Sequence, residues 1–283
     1  MNPYLFGCCV LMALWLITFW MVRRRKKERD LHEFWWASFT CFLMGITEPL
    51  YVPEYWDPPS VLKFYRWDLE SFIFCFAIGG IASVFSELPR VKRVMYAIDY
   101  ALWFIFKEIV LRVRRVFLGR SDDAKIANVT FTPVVLAKDQ IRIENMILVA
   151  FFVGMFGMTA QLNLNIIYDA AIVCLSTAIF IWWRRPRLRR QIVGGGVSFT
   201  FLYAIVLVVD VNVYPDFFSY WNLTQLSGIF IAKAPLEEYL FAFTFGAFWA
   251  PLYEAWKNEK YAPYAGPSAL AARNILTPTA KSP

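Results

Sequence analysis

The sequence predicts an all-α, polytopic membrane helix bundle, and three observations carry that prediction. Hydrophobic residues make up 59% of the 283, and the mean hydropathy is +0.45, whereas soluble domains are roughly half apolar. Apolar stretches of about 20 residues, the length that crosses a bilayer core, recur along the chain. The net charge of +7 is unevenly distributed, with basic runs lying between the apolar stretches. That pattern reads as topology and lipid-headgroup contact rather than nucleic-acid binding. Aromatic residues reach 19%, including 27 Phe and 12 Trp, which suits aromatic belts or an apolar ligand chamber.

Seven stretches are expected to span the membrane, near 3–22, 34–52, 69–87, 146–164, 168–183, 194–213 and 227–250. The first is followed, not preceded, by the basic cluster Arg23, Arg24, Arg25, Lys26 and Lys27. It therefore reads as a retained helix with the N-terminus outside rather than as a signal peptide. Arg184, Arg185, Arg187, Arg189 and Arg190 follow the fifth stretch, and the positive-inside rule puts both clusters, and the C-terminus, on the cytoplasmic side. Met95–Phe117 mixes aromatics with Lys107, Arg112, Arg114 and Arg115, the composition of an amphipathic helix lying on a leaflet. The expected organisation is a three-helix unit over 1–89, a cytoplasmic basic insert over 90–145, a linking helix over 146–164, a second three-helix unit over 165–258 and a cytoplasmic tail over 259–283. Anionic headgroups are the expected partner of the 90–120 region.

The inventory of reactive groups is narrow. His32 is the sole histidine, which excludes histidine-box di-iron sites, HExxH metalloproteases and Ser-His-Asp triads. Cys8, Cys9, Cys41, Cys75 and Cys174 all lie in apolar stretches without metal-ligand spacing and read as small buried hydrophobes. No metal and no cofactor is expected.

The two halves align with each other. Trp20–Arg24 matches Trp182–Arg185, Ser38-Phe39-Thr40 matches Ser198-Phe199-Thr200, and Tyr55-Trp56-Asp57 matches Tyr220-Trp221-Asn222. One stretch runs without gaps at a spacing of 167: Arg66 on Lys233, Leu69 on Leu236, Glu70 on Glu237, Phe72 on Tyr239, Phe74 on Phe241, Gly79 on Gly246 and Glu87 on Glu254. Two three-helix units in the same orientation need one extra crossing between them, and the fourth stretch supplies it. The repeats are thus expected to be parallel, related by an axis along the membrane normal.

Each unit's last helix is expected to begin with a base four residues before a Glu, pairing Arg66 with Glu70 and Lys233 with Glu237 on one helical face. Pro235 favours a helix start, and the first turn of that helix favours the carboxylates of Glu237 and Glu238. Ionisable groups in an apolar run are costly and by default mark a site. Asp68, Glu70, Glu237 and Glu238 form a candidate proton-sharing cluster in an aromatic chamber, where Phe and Tyr faces can stabilise a carbocation. Glu87 and Glu254, 17 residues further on, read as structural; Glu48 and Asp210 end the middle helices, either as solvated helix ends or as part of the same chamber.

Ala234-Pro235-Leu236-Glu237-Glu238-Tyr239-Leu240-Phe241 resembles the Pro-x-Glu-Glu motif of the integral-membrane lycopene cyclases of the heterodimeric or fused type. The resemblance is strongest over 233–256 and weaker over 66–87, where Asp68 replaces the proline and Ser71 the second Glu. It implies non-redox cyclisation of a linear carotene's ψ ends, with an apolar isoprenoid substrate in the bilayer. Glu237 and Glu238 would carry over as acid and base; Glu70 matches the motif's Glu in the first copy, and Asp68 and Glu70 would tune the pair from across the chamber. Lys233 and Arg66 would pair with these acids, and Tyr239, Phe241 and Phe74 would line the substrate. Two other readings stay open on the residues themselves: a proton-coupled transporter, because parallel repeats with buried charges suit one, and a non-catalytic assembly protein that docks through its basic insert.

Overall fold

The computed structural model describes residues 2–88, 91 and 138–257. Seven helices of 14 residues or more run through them: α1 Pro3–Arg24, α2 Glu28–Phe42, α3 Leu69–Val84, α4 Lys138–Thr159, α5 Ile166–Arg184, α6 Arg189–Val213 and α7 Leu236–Trp249. A short α8, Leu252–Lys257, follows α7. Five of the described segments are long and apolar enough to cross a membrane: Pro3–Arg24, Leu69–Glu87, Arg142–Leu162, Ile166–Arg184 and Arg189–Val213. The chain is therefore the all-α bundle that its composition predicts. Most of the expected basic insert, with its headgroup contact, and the tail lie outside the described residues.

Local chemistry sets the ends. Asn2 caps α1 by accepting the amides of Tyr4 (2.9 Å) and Leu5 (3.1 Å), and Pro3 occupies the first turn where no amide is needed. Arg23 and Arg24 close the same helix, where cations complement the dipole. Asn165 caps α5 through the Ile167 amide at 3.1 Å. The second helix starts six residues before the expected 34, with Glu28 and Asp30 in its first turn, and tightens into a 3₁₀ segment over Leu43–Leu50 that contains Pro49. The linking helix likewise begins earlier than expected, at Lys138.

The last helix departs most from expectation. Instead of spanning 227–250, α7 starts at Leu236, and the apolar run before it folds into a hairpin of two short strands, β3 Phe230–Ile231 and β4 Ala234–Pro235. Ala232 and Lys233 form its two-residue turn with φ of +48° and +68°, and Gly228 enters it at +74°; positive φ at both turn residues is the geometry that twists with the strands. The first half contains the same device: β1 Lys63–Phe64 pairs with β2 Trp67–Asp68 ahead of α3. Leu69 N–H donates to Leu62 C=O at 3.0 Å, and Leu236 N–H donates to Ile229 C=O at 2.9 Å. Each residue in the second set stands 167 after its match in the first.

Small residues let the helices approach closely, as membrane helix pairs require. Gly79 of α3 lies against the Ala37 carbonyl and Cys41 of α2, and Gly246 of α7 lies against the Gly195 carbonyl and Phe199 of α6. These contacts match Ala37 with Gly195, two residues away from the Ser38–Ser198 match seen in the sequence. Among the contacts between the halves, the Trp249 indole N–H donates to the Gly79 carbonyl at 3.1 Å, and the two long loops cross. There Asp57 N–H donates to Tyr220 C=O (3.0 Å) and Asn222 N–H donates to Tyr55 C=O (2.9 Å), so that Trp56 and Trp221 sit opposite each other in an antiparallel bridge. At the other end of the bundle, fully buried Glu254 pairs with Arg29, and Glu144 pairs with Arg184.

Candidate functional site

The hairpins decide where the motif's charged residues go. Arg66 and Lys233 sit in the hairpin turns, exposed, and make no ion pair among the described residues. The expected pairing along a helical face, Arg66 with Glu70 and Lys233 with Glu237, is therefore absent, because neither base belongs to the helix. Glu70 and Glu237 brace the hairpins instead. Glu70 accepts the Ser60 hydroxyl (2.9 Å) and the amides of Val61 (2.8 Å) and Leu62 (3.3 Å). Glu237 accepts the Ser227 amide at 2.7 Å and the Tyr168 hydroxyl from α5. Ser227 is the residue 167 after Ser60, so the two acids hold matching points of their loops. The Tyr239 hydroxyl adds a clasp by donating to the Ile231 carbonyl at 2.8 Å.

Glu238 is placed differently. Adjacent helix positions point about 100° apart, so with Glu237 turned to its loop, Glu238 faces the bundle interior. It is buried and receives three donors: the hydroxyls of Tyr55 and Tyr203 (the latter at 2.9 Å) and the Trp221 indole N–H at 2.8 Å. Tyr203 comes from α6 and Trp221 from the second unit's loop. Tyr55 crosses over from the first unit's loop, so the carboxyl is held by both halves. Burial, and after it the Glu238 carboxyl beside it, push the Tyr55 phenol well above its ordinary range, so it remains a hydrogen-bond donor.

Glu238 forms part of the wall of a cavity of about 440 Å³, within the size range of small-molecule sites. Phe241, Phe245, Phe248 and Trp249 continue its wall down α7, following the helical spacing from Glu238. Phe74 enters from α3, Phe152 and Phe156 from α4, and the loop aromatics Trp56, Phe217 and Trp221 roof it. That roof is one cluster: the Trp56 ring centroid lies 5.0 Å from Trp221 and 5.1 Å from Phe217. The expected aromatic neighbours Phe241 and Phe74 line the cavity; Tyr239 does not.

The first half's acids do not reach this wall. Asp68 is buried at the start of α3, with its amide donating to Glu48 at 2.6 Å. Glu48 also accepts the Ser71 hydroxyl at 2.6 Å, and Ser71 in turn hydrogen-bonds the Tyr4 hydroxyl at 2.8 Å. Ser71 occupies the position 167 before Glu238. Thus a carboxyl, which the motif lacks at this position of α3, reaches Ser71 from Glu48 in the 3₁₀ segment after α2. The expectation that Asp68 and Glu70 face Glu237 and Glu238 across one chamber does not match this placement. Of the four, only Glu238 opens onto the cavity, and its companion acid there is Asp210 of α6. Tyr55, Tyr203 and Trp221 are partners that sequence reading missed, although the Tyr55-Trp56 and Tyr220-Trp221 match marked that loop pair.

These elements define a membrane helix bundle with two buried acids, Glu238 and Asp210, set into the wall of an aromatic chamber beneath two crossed loops. Residues 165–256 match the lycopene cyclase family model, so the α5–α7 unit, with Glu237 and Glu238 at its last helix, is similar to a lycopene cyclase domain. No curated protein and no solved structure matches the chain.

Proposed function

We propose that this chain is an integral-membrane carotenoid cyclase that closes a lycopene-like ψ end to an ionone ring by proton-initiated, non-redox cyclisation. The observation that carries the reading is Glu238: a buried carboxyl held by three donors at the wall of an aromatic cavity, inside the segment that matches the family. The trisubstituted alkenes of a ψ end offer no polar handle, so the site must supply shape, a proton and a place for positive charge. Phe241, Phe245 and Trp249 supply ring faces toward a passing carbocation, and Glu238 supplies negative charge and a proton acceptor. In this reading the two three-helix units are parallel repeats joined by α4, the basic clusters face the cytoplasm, and Glu70 and Glu237 serve as matched loop braces. The overall change is an isomerisation by an intramolecular lyase-type step.

The test is to express the chain in cells that accumulate lycopene and to separate their carotenes by chromatography. Cyclic carotenes are the expected result. Unchanged lycopene, with the protein established in the membrane, refutes the reading. Proton-linked flux across vesicles without any change in pigment would support the transporter alternative in its place.

A further inference from the structure

Glu238 accounts for one end of a cyclisation but leaves the proton source unassigned. All three of its neighbours donate toward it, and the Trp221 indole has no acceptor atom to offer in return. A group that must hand a proton to an alkene needs a free oxygen facing the substrate, with no protein donor competing for it.

Asp210 meets that requirement. It lies near the end of α6 and is only 4% exposed. It lines the same cavity. Its Oδ1 is buried without a hydrogen-bond partner, and among the described residues no donor reaches either oxygen. It packs against Gly7 of α1, where a Cβ would stand 2.9 Å from Asp210 Oδ2; the missing side chain leaves room for the carboxyl. An unpaired carboxylate in such a wall is costly, whereas the protonated acid carries no net charge. Asp210 stands seven residues after Tyr203, which holds Glu238. Seven residues are about two turns on the same face of α6, roughly 10 Å along the axis. Both acids thus line one cavity of about 440 Å³.

We infer that Asp210 is the catalytic residue that protonates the terminal alkene, with Glu238 as the base that removes the ring proton; this rests on the cyclase reading above. The Asp210 proton adds to the terminal alkene, whose electron pair forms the new C–H bond and leaves a tertiary cation. The internal alkene attacks that cation, forming the ring C–C bond and moving the charge within the ring. Glu238 then takes a ring proton, and the electrons of that C–H bond restore an alkene. One proton enters and one leaves, no redox change occurs, and returning the proton from Glu238 to Asp210 resets the site.

The experiment compares wild type, Asp210→Asn and Asp210→Glu in lycopene-accumulating cells, with rings normalised to membrane protein. If wild type makes no rings, it is the cyclase reading that has failed. If wild type makes rings, Asp210→Asn, isosteric but proton-poor, should lose them by about 100-fold or more. Asp210→Glu keeps the acid and should retain far more than Asp210→Asn. A packing role predicts the reverse order, and that order, or Asp210→Asn above a tenth of wild type, overturns the assignment. Should Asp210→Asn fail to accumulate, Asp210→Glu decides alone: a tenth of wild-type rings or more supports Asp210, and less at normal membrane level overturns it.

Discussion

Glu238→Gln separates chemistry from structure unusually well at this site. Tyr55 and Trp221 both reach Oε1, while Tyr203 reaches Oε2. The amide oxygen of Gln can keep the first two donors, and the Tyr203 hydroxyl can turn to accept from the new NH₂. The number of hydrogen bonds and the shape are then preserved, and what disappears is the charge. Bonds to a charged group are worth about 1.5–3 kcal/mol against about 0.5–1.5 for neutral ones, so three bonds lose on the order of 3 kcal/mol together. Relief from burying a charge is several kcal/mol in the opposite sense, so the protein should accumulate in the membrane within about twofold of wild type by these opposing magnitudes. Loss of a positioned base costs about 10²–10⁴-fold in rate, or about 2.7–5.5 kcal/mol of barrier. The assay is the rate of ring formation per unit of membrane-embedded protein in lycopene-accumulating cells. A variant that runs above a tenth of the wild-type rate at equal level would refute the assignment of Glu238 as base. Glu238→Leu provides the contrast, because it leaves three buried donors unanswered, at about 1–3 kcal/mol each, and should lower the membrane level itself.

Other outcomes follow from the same geometry. Gly246→Ala puts a Cβ 2.6 Å from the Gly195 carbonyl and 2.8 Å from the Phe199 Cβ; overpacking of this kind costs about 1–3 kcal/mol and should appear as a lower thermal midpoint in detergent. Glu70→Gln acts on the hairpin brace, outside the cavity, so protease resistance of the 60–68 loop should fall while ring formation per folded molecule stays within about twofold, since bonds to charged groups weaken by only ~1 kcal/mol each. Equal losses in Glu70→Gln and Glu238→Gln would contradict the division of labour between the two positions. Because the folded Tyr55 phenol is raised above its unfolded value, its contribution to stability is fully present below about pH 10, the ordinary phenol range, and is lost only as pH rises from there toward the folded value. Tyr55→Phe should therefore remove part of any alkaline loss of stability, read by tryptophan fluorescence during thermal unfolding.

The sequence by itself determined the class of the molecule, because the bilayer leaves an apolar chain few solutions: backbone groups must be satisfied within helices, and about 20 apolar residues suffice for a crossing. It also determined that Leu69-Glu70 and Leu236-Glu237 recur at a spacing of 167, and that Pro235 with two adjacent glutamates opens the last helix. The helix boundaries were less legible. The apolar run from Leu226 reads as helix by composition, but positive φ at Gly228, Ala232 and Lys233 turns it into a hairpin, and hydropathy carries no information about a backbone dihedral. That turn, and its counterpart at Tyr65-Arg66 in the first hairpin, removed Lys233 and Arg66 from their acids. Tertiary structure also chose between neighbours. Glu237 and Glu238 differ by one residue, yet one holds a loop and the other faces the cavity, because the orientation of α7 is fixed by Gly246 against Gly195 and by three donors from distant parts of the chain. In the sequence Asp210 reads either as a solvated helix end or as part of the chamber. It becomes the chamber's second acid because Gly7, some 200 residues earlier, leaves it space, and no local pattern records a vacancy made by another helix.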